Sequence, residues 1–270
     1  MDDRLDRQLG VLRAELARLA PVVVAFSGGA DSAFLAFVAH EALGPDQARA
    51  VTAVSASLAG SEADDCAALA REWGLRWSTV TTGEMERAAY RVNDIDRCAH
   101  CKSALMDALA PIVDGATVVL GVNTDDLGEH RPGQRAAAAQ GAEFPLVAAA
   151  FSKAVVREAS HRLGLRTWDK PAAACLASRI PYGTEVSVPV LSRVERAEAA
   201  LRDLGLEQVR VRHYGDVARV EVPLDDLDTV IARRGEVLVG VKAAGYRYVT
   251  LDLEGFRSGN LNDGHVASPS

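Results

Sequence analysis

The sequence has no apolar run approaching the roughly 20 residues that a membrane-spanning helix needs, which argues against membrane insertion. It does not open like a secreted protein either. Met1-Asp2-Asp3-Arg4 carries acid, and the apolar stretch 22–26 is too short and too late for a signal peptide. A cytoplasmic location is the expectation. Excess positive charge is also missing: 30 Lys and Arg stand against 37 Asp and Glu, for a net charge of −7. A partner bound through a broad basic surface, nucleic acid above all, is therefore not expected. Local basic clusters can still hold a small anion. Cysteine is sparse, at Cys66, Cys98, Cys101 and Cys175. In a reducing compartment a structural disulfide is not expected, so metal binding or thiol reactivity comes forward. His130 and His213 show no metal-ligand spacing, and there is no internal repeat.

What is present is enough for two domains, since 270 residues slightly exceed what one core usually serves. Leu5, Leu9, Leu12, Leu16 and Leu19 recur at spacings of four and three, one apolar stripe on a helix that packs on the domain body. Residues 22–26 read as a strand buried on both faces. A helix with Phe34, Leu35 and Val38 on one side follows. The alternation continues with strands at 50–56, 77–81 and 117–121 and helices at 61–73 and 101–113. This pattern predicts an α/β fold with an open parallel sheet, whose ligands sit at the carboxyl ends of the strands. Residues 152–163 read as a helix capped by Ser152, and 168–184 as an irregular loop.

The boundary is expected near the end of that loop, giving a first domain at 1–184. Beyond it lie a helix at 190–204, a hairpin of 208–213 and 217–222 turning at Tyr214-Gly215-Asp216, helices at 224–231 and 237–244, and a strand at 246–251. That is a small α+β domain at 185–259, with a polar tail at 260–270 expected to be disordered.

Ser27-Gly28-Gly29-Ala30-Asp31-Ser32 lies between the first strand and its helix. Two glycines let successive N–H groups point into one concavity, and the helix N-terminus adds positive potential, so the turn can cradle phosphate. Ser27 and Ser32 can donate to phosphate oxygens, and Asp31 can hold Mg²⁺ or cap the helix. No Gly-x-x-x-x-Gly-Lys pattern is present, so this is not a Walker loop. Asp125 and Asp126 follow the last strand of the sheet, where carboxylates can hold Mg²⁺ or cap the next turn.

The pair in Asp96-Arg97-Cys98-Ala99-His100-Cys101-Lys102 stands at metal-ligand spacing. Zinc, iron–sulfur and redox readings are all open for it. Cys175 stands in a loop beside Arg179, which favours its thiolate. Cys66, within a helix, reads as a core residue. In the second domain Arg210 and Arg212 share one strand face, opposite Val209 and Val211, and suit a phosphate or a solvated face paired with Glu221.

The Ser27–Ser32 string resembles the PP-loop of N-type ATP pyrophosphatases, which include asparagine, GMP and NAD synthetases and tRNA-thiolating enzymes. Over nearly the whole length the chain further resembles the LarE family, the ATP-dependent sulfur transferases of nickel-pincer cofactor (lactate racemase) maturation. The likeness is carried by the PP-loop, residues 96–102, Gly121-Val122-Asn123-Thr124-Asp125-Asp126, Trp168-Asp169-Lys170-Pro171, 175–183, 209–213 and 250–259. It implies adenylation of a carboxylate of pyridinium-3,5-biscarboxylic acid mononucleotide, then displacement of AMP by sulfur. It implies Ser27, Gly28, Gly29, Asp31, Ser32, Ser55 and Asp125 at ATP and Mg²⁺, with Asp31 and Cys175 catalytic. It also implies Ser178, Arg179, Glu198, Arg210 and Arg212 at the substrate phosphate, and a homo-oligomer, with a hexamer as a candidate form.

The family contains two sulfur sources. A single cysteine at the Cys175 position can give up its sulfur, or three cysteines can hold a [4Fe-4S] cluster with an open site. Cys98, Cys101 and Cys175 are all present, so the cluster type is expected. Rival readings are a tRNA-thiolating enzyme, an amidating synthetase, and a nucleotide-sensing module with structural zinc at Cys98 and Cys101.

Overall fold

The computed structural model describes residues 3–128, 132–171 and 174–257. Met1, Asp2, His130, Ala172, Ala173, Ser258, Gly259 and the expected tail 260–270 lie outside the described residues. The chain divides into two compact units, Met1–Glu84 with Cys98–Ala173, and Met85–Arg97 with Ala174–Ser270.

The first unit is built on a parallel sheet. Helix α1 (Asp3–Leu19) leads into β1 (Val22–Ala25), α2 (Ala30–Leu43), β2 (Ala48–Val54), α3 (Gly60–Glu72) and β3 (Trp77–Thr81). After α4 (Ala88–Val92), which belongs to the second unit, come α5 (Arg97–Leu109) and β4 (Thr117–Leu120). Three more helices close the unit: α6 (Pro132–Ala138), α7 (Pro145–Ala148) and α8 (Lys153–Arg162). The strand order is β3-β2-β1-β4, with every pairing parallel.

Alternate residues of the strands enter different cores, as the strand period of two requires. Val22, Val24, Ala50 and Val119 join one core with the leucine stripe of α1, Phe34, Leu35 and Val38 of α2, and Val155 and Val156 of α8. Val23, Val51, Val118 and Leu120 face a second core with Leu105, Met106 and Leu109 of α5. Both faces of the sheet are therefore covered, which is why its strands read as unbroken apolar runs. The chain runs outward from β1 through β2 to β3, then returns to the other side of β1 for β4. The order reverses between β1 and β4, the point at which open α/β sheets bind ligands.

The second unit has its own core, including Leu201, Val211, Val220 and Val241. Helix α9 (Val188–Arg202) precedes β5 (Arg210–Tyr214) and β6 (Val217–Glu221), which pair antiparallel as the hairpin pattern predicts. Helices α10 (Leu227–Ala232) and α11 (Arg234–Ala243) lead to β7 (Tyr248–Leu251), which adds parallel to β6.

The second unit starts earlier than the expected boundary at 184 and takes in an excursion from the first half of the chain. The reason is local. Asn93, in the left-handed region at φ 60°, donates from Nδ2 to the carbonyls of Pro181 and Thr184, both at 2.8 Å. Val186 N donates to Arg91 O at 2.9 Å. The loop at 168–184 is ordered in part by a turn of 3-10 helix, Leu176–Arg179.

Candidate functional site

At the carboxyl end of β1 the chain turns sharply into α2. Phe26 N donates to Val51 O at 2.8 Å, and Thr52 Oγ1 donates to Phe26 O at 2.8 Å, so the strand is held to its last residue. Gly28 then takes φ +70°, and a Cβ there would lie 2.8 Å from Cys66 Sγ, so both the turn and the close approach demand glycine. Ser32 Oγ ties the loop into a ring: it lies 3.0 Å from Ser27 Oγ, accepts from Ser27 N at 3.2 Å and donates to Gly29 O at 3.1 Å. Helix α2 begins at Gly29 without a side-chain cap. Its first-turn N–H groups are left for a ligand at the head of a 14-residue helix.

The loop after β4 meets this turn. A Cβ on Gly121 would lie 2.7 Å from Ser32 N, so the backbone of that loop touches the start of α2. Asn123 Oδ1 accepts from Asp125 N (3.0 Å) and Asp126 N (3.3 Å), and Asp126 Oδ2 accepts from Asn123 N at 3.2 Å. Asp125 Oδ2 accepts from Lys153 N at 2.9 Å, at the first turn of α8. Asp31 points toward this group. Its Oδ1 is buried with no hydrogen-bond partner. Burial first, then the Asp126 charge, raise its pKa above the usual carboxylate range, against opposing effects of Lys153, Asn123 and Arg157. A half-buried carboxylate with one oxygen enclosed and unsatisfied, beside a second carboxylate, has the chemistry of a divalent-cation ligand.

Ser55, one residue past β2, has its hydroxyl 2.9 Å from that of Ser57, and Ser57 Oγ donates to Glu84 Oε1 at 2.8 Å. On the other flank Lys170 Nζ donates to Gly28 O at 3.2 Å, to Glu62 Oε2 at 2.8 Å and to Asp65 Oδ2 at 2.7 Å. Sequence reasoning held Lys170 only as part of a quoted string and gave it no role. Its partners lie more than 100 residues away in the chain, so no local signal marks it.

In the second unit, Ser178, Arg179, Glu198, Arg210 and Arg212 do come together. Arg179 forks onto Glu198, Nε to Oε1 at 2.8 Å and Nη2 to Oε2 at 3.0 Å. Its Nη1 donates to Ala174 O, Cys175 O and Ser178 Oγ. The pair is almost fully enclosed, with side chains 4% and 0% exposed. Removing one partner of such a pair costs about 3–5 kcal/mol. Arg179 and Glu198 thus act first as a clamp that shapes the turn after Cys175. Arg212 donates to Glu221 Oε2 at 2.9 and 2.7 Å and to Ser178 O at 2.9 Å. The Arg212–Glu221 pairing open from the sequence is therefore present, on a buried face and not a solvated one. Arg210 stacks over the Phe256 ring at 5.2 Å. Burial, then the charges of Arg179, Arg212 and Arg202, outweigh the attraction of Glu198 and lower its pKa to about 10.

None of the four cysteines is in a disulfide; Cys98 and Cys175 are exposed, Cys101 is half-buried and Cys66 is buried. Cys98 and Cys101 lie in α5, one turn apart. Among the described residues, no three His, Cys, Asp or Glu side chains are gathered to hold a metal ion. Within the second unit, Arg97 Nη1 donates to Asn93 Oδ1 at 2.6 Å and Ala177 O at 2.8 Å. Arg97 is thereby fixed to the 3-10 turn Leu176–Arg179. Neither Arg97 nor Asn93 was singled out by the sequence, because each holds a backbone carbonyl some 80 to 90 positions away.

Comparison with known proteins places this geometry. Residues 11–104 match the model of the NAD synthase family. An uncharacterised protein of Synechocystis is 44% identical over 263 residues, 96% of this chain and 98% of its own. The pyridinium-3,5-bisthiocarboxylic acid mononucleotide synthase of Lactiplantibacillus plantarum is 37% identical over 255 residues, 93% of this chain and 92% of that protein. An uncharacterised protein of Methanocaldococcus jannaschii is 26% identical over 240 residues. With a PP-loop at the sheet's switch point and likeness to that synthase along almost its whole length, the chain belongs to the LarE family of PP-loop, ATP-using enzymes.

Proposed function

We propose that the chain adenylates a carboxylate of pyridinium-3,5-biscarboxylic acid mononucleotide and converts it to a thiocarboxylate. The observation that carries this reading is the uncapped start of α2 at the Ser27–Ser32 turn, with the under-satisfied Asp31 beside it. A carboxylate oxygen attacks the α-phosphorus of ATP, the α–β phosphoanhydride bond breaks, and pyrophosphate leaves. The resulting mixed anhydride has AMP as its leaving group. A sulfur nucleophile attacks its carbonyl carbon, the C–O bond to AMP breaks, and a thiocarboxylate remains.

In this scheme Ser27, Gly28, Gly29 and Ser32 hold the phosphates and Ser55 contacts the nucleotide at the end of β2. Asp31 and Asp125 would hold Mg²⁺, which neutralises phosphate charge when bound, with Asp126 the carboxylate whose charge acts on Asp31. The Arg210 and Arg212 cluster would take the substrate phosphate, with Ser178 and the Arg179–Glu198 clamp shaping that pocket. Thiolates at Cys98, Cys101 and Cys175 would hold a [4Fe-4S] cluster, which when bound supplies a labile sulfide. None of these thiols is in a disulfide and two stand one helical turn apart, while among the described residues no three metal-ligating side chains are gathered. The alternative, in which Cys175 surrenders its own sulfur, is favoured by that thiol's exposure. A homo-oligomer acting in the cytoplasm completes the reading. Among the described residues no helix is long and apolar enough to cross a membrane.

The test is pyrophosphate release from ATP, with and without the mononucleotide. Release should require the mononucleotide and fall at least about 100-fold in Asp31→Asn, the scale on which a lost charge-stabilising group acts. Release unchanged in that variant, or independent of the mononucleotide, contradicts the reading.

A further inference from the structure

We infer that Lys170 is the positioning residue that selects the phosphate-binding conformation of the Ser27–Ser32 loop. This rests on the reading above that the loop holds the phosphates of ATP.

The Gly28–Gly29 peptide carries no side chain on either flank, so little but its hydrogen bonds decides which way it faces. In a planar trans peptide the carbonyl and the following N–H point in opposite directions. Lys170 Nζ holds Gly28 O at 3.2 Å, which directs Gly29 N–H away from Lys170 and toward the open start of α2. A flipped peptide would put the Gly28 carbonyl oxygen there instead, where it would repel phosphate oxygens. The loop cannot relieve the constraint by sinking, because Cys66 Sγ sits 2.8 Å from where a Gly28 Cβ would be.

The ammonium does not contact the phosphates in this arrangement. It has three protons and three acceptors: Gly28 O, Glu62 Oε2 and Asp65 Oδ2. Its side chain is 18% exposed. The two carboxylates stand three residues apart on α3 and fix where the ammonium sits. Burial works against its charge, but the hydrogen bonds of Asp65 and Glu62 more than compensate, and its pKa is raised overall. Arg166 extends the brace, bonding Asp65 at 2.6 Å and Glu72 at 2.9 Å. The segment 166–170 that leads toward Cys175 in the chain is thereby fastened to the ATP loop.

The experiment compares the wild type with Lys170→Met, Lys170→Arg and the triple variant Lys170→Met/Glu62→Gln/Asp65→Asn. The triple variant relieves the unpaired carboxylates and guards against misfolding of the single one. ATP binding and mononucleotide-dependent pyrophosphate release are measured for each. Both Met variants should lose at least about tenfold in kcat/KM for ATP, the scale of a charge-assisted hydrogen bond. The KM for the mononucleotide should stay within about twofold, and Lys170→Arg should recover most of the loss. A merely structural lysine would not separate the two substrates in this way. ATP kinetics within about twofold of wild type in the folded triple variant overturn the role of Lys170 alone. A wild type that neither binds ATP nor releases pyrophosphate overturns the functional reading, and this inference with it.

Discussion

Arg210 carries a charge that its surroundings resist. Burial and three neighbouring arginines, against the attraction of Glu198, bring its pKa to about 10, yet at neutral pH it remains a cation. Cations crowded in this way gain most from a multiply charged anion, which offers an acceptor to several at once. Arg210→Ala should therefore raise the KM for the mononucleotide about tenfold while leaving the KM for ATP unchanged. Steady-state kinetics on both substrates check this, and an effect on ATP alone would contradict the pocket. Arg212 is the less clean probe, because its removal also disturbs a buried ion pair with Glu221. The sequence indicated that Arg210 and Arg212 share a face, since strand period fixes it. It did not indicate that Glu221, opposite Arg210 in register, bonds Arg212. Side-chain reach across a twisted pair decides that.

At the scale of the element, the parallel sheet and its helices were legible because buried strands and amphipathic helices write their periods into the chain. Strands β1 to β4 and helices α3 and α8 fall within a few residues of their predicted ranges, and α2 carries Phe34, Leu35 and Val38 as expected. The short helices α4, α6 and α7, of 5, 7 and 4 residues, were not anticipated. Two turns or fewer cannot display a period of 3.6. The β5–β6 hairpin was legible from its alternation, and it carries a pH-sensitive buried contact. His213 Nδ1 lies 3.1 Å from Tyr246 Oη, and burial, with the Arg193 charge, lowers its pKa below 6.5. The unfolded chain, near 6.5, then binds a proton that the native one refuses. Stability rises with pH across that interval and is lost as pH falls below about 6.5. His213→Gln should flatten the dependence of Tm on pH between about 7.5 and 5.5 relative to wild type. Parallel curves for the two proteins would contradict it.

For the whole molecule, the sequence conveyed two units but not where they divide. The excursion Met85–Arg97 joins the second unit through Asn93 and Arg97, contacts between residues some 80 to 90 positions apart that no local pattern announces. The turn at 27–32, the cysteine pair at 98–101 in α5 and the turn at 175–179 were legible as unusual strings. Lys170, Asn93 and Arg97 were not legible, because each holds a backbone carbonyl 80 or more positions away, an action open to any sufficiently long or forked donor. The chemistry assigned to the chain joins ATP cleavage to delivery of sulfur, and the product records both. The decisive measurement is the mass of the mononucleotide after anaerobic incubation of iron- and sulfide-reconstituted protein with ATP and added sulfide, read beside the mass of the chain. The account predicts exchange of a carboxylate oxygen for sulfur, in excess over protein, with Cys175 intact. A mononucleotide that leaves the reaction with no sulfur, while ATP is consumed, would contradict it.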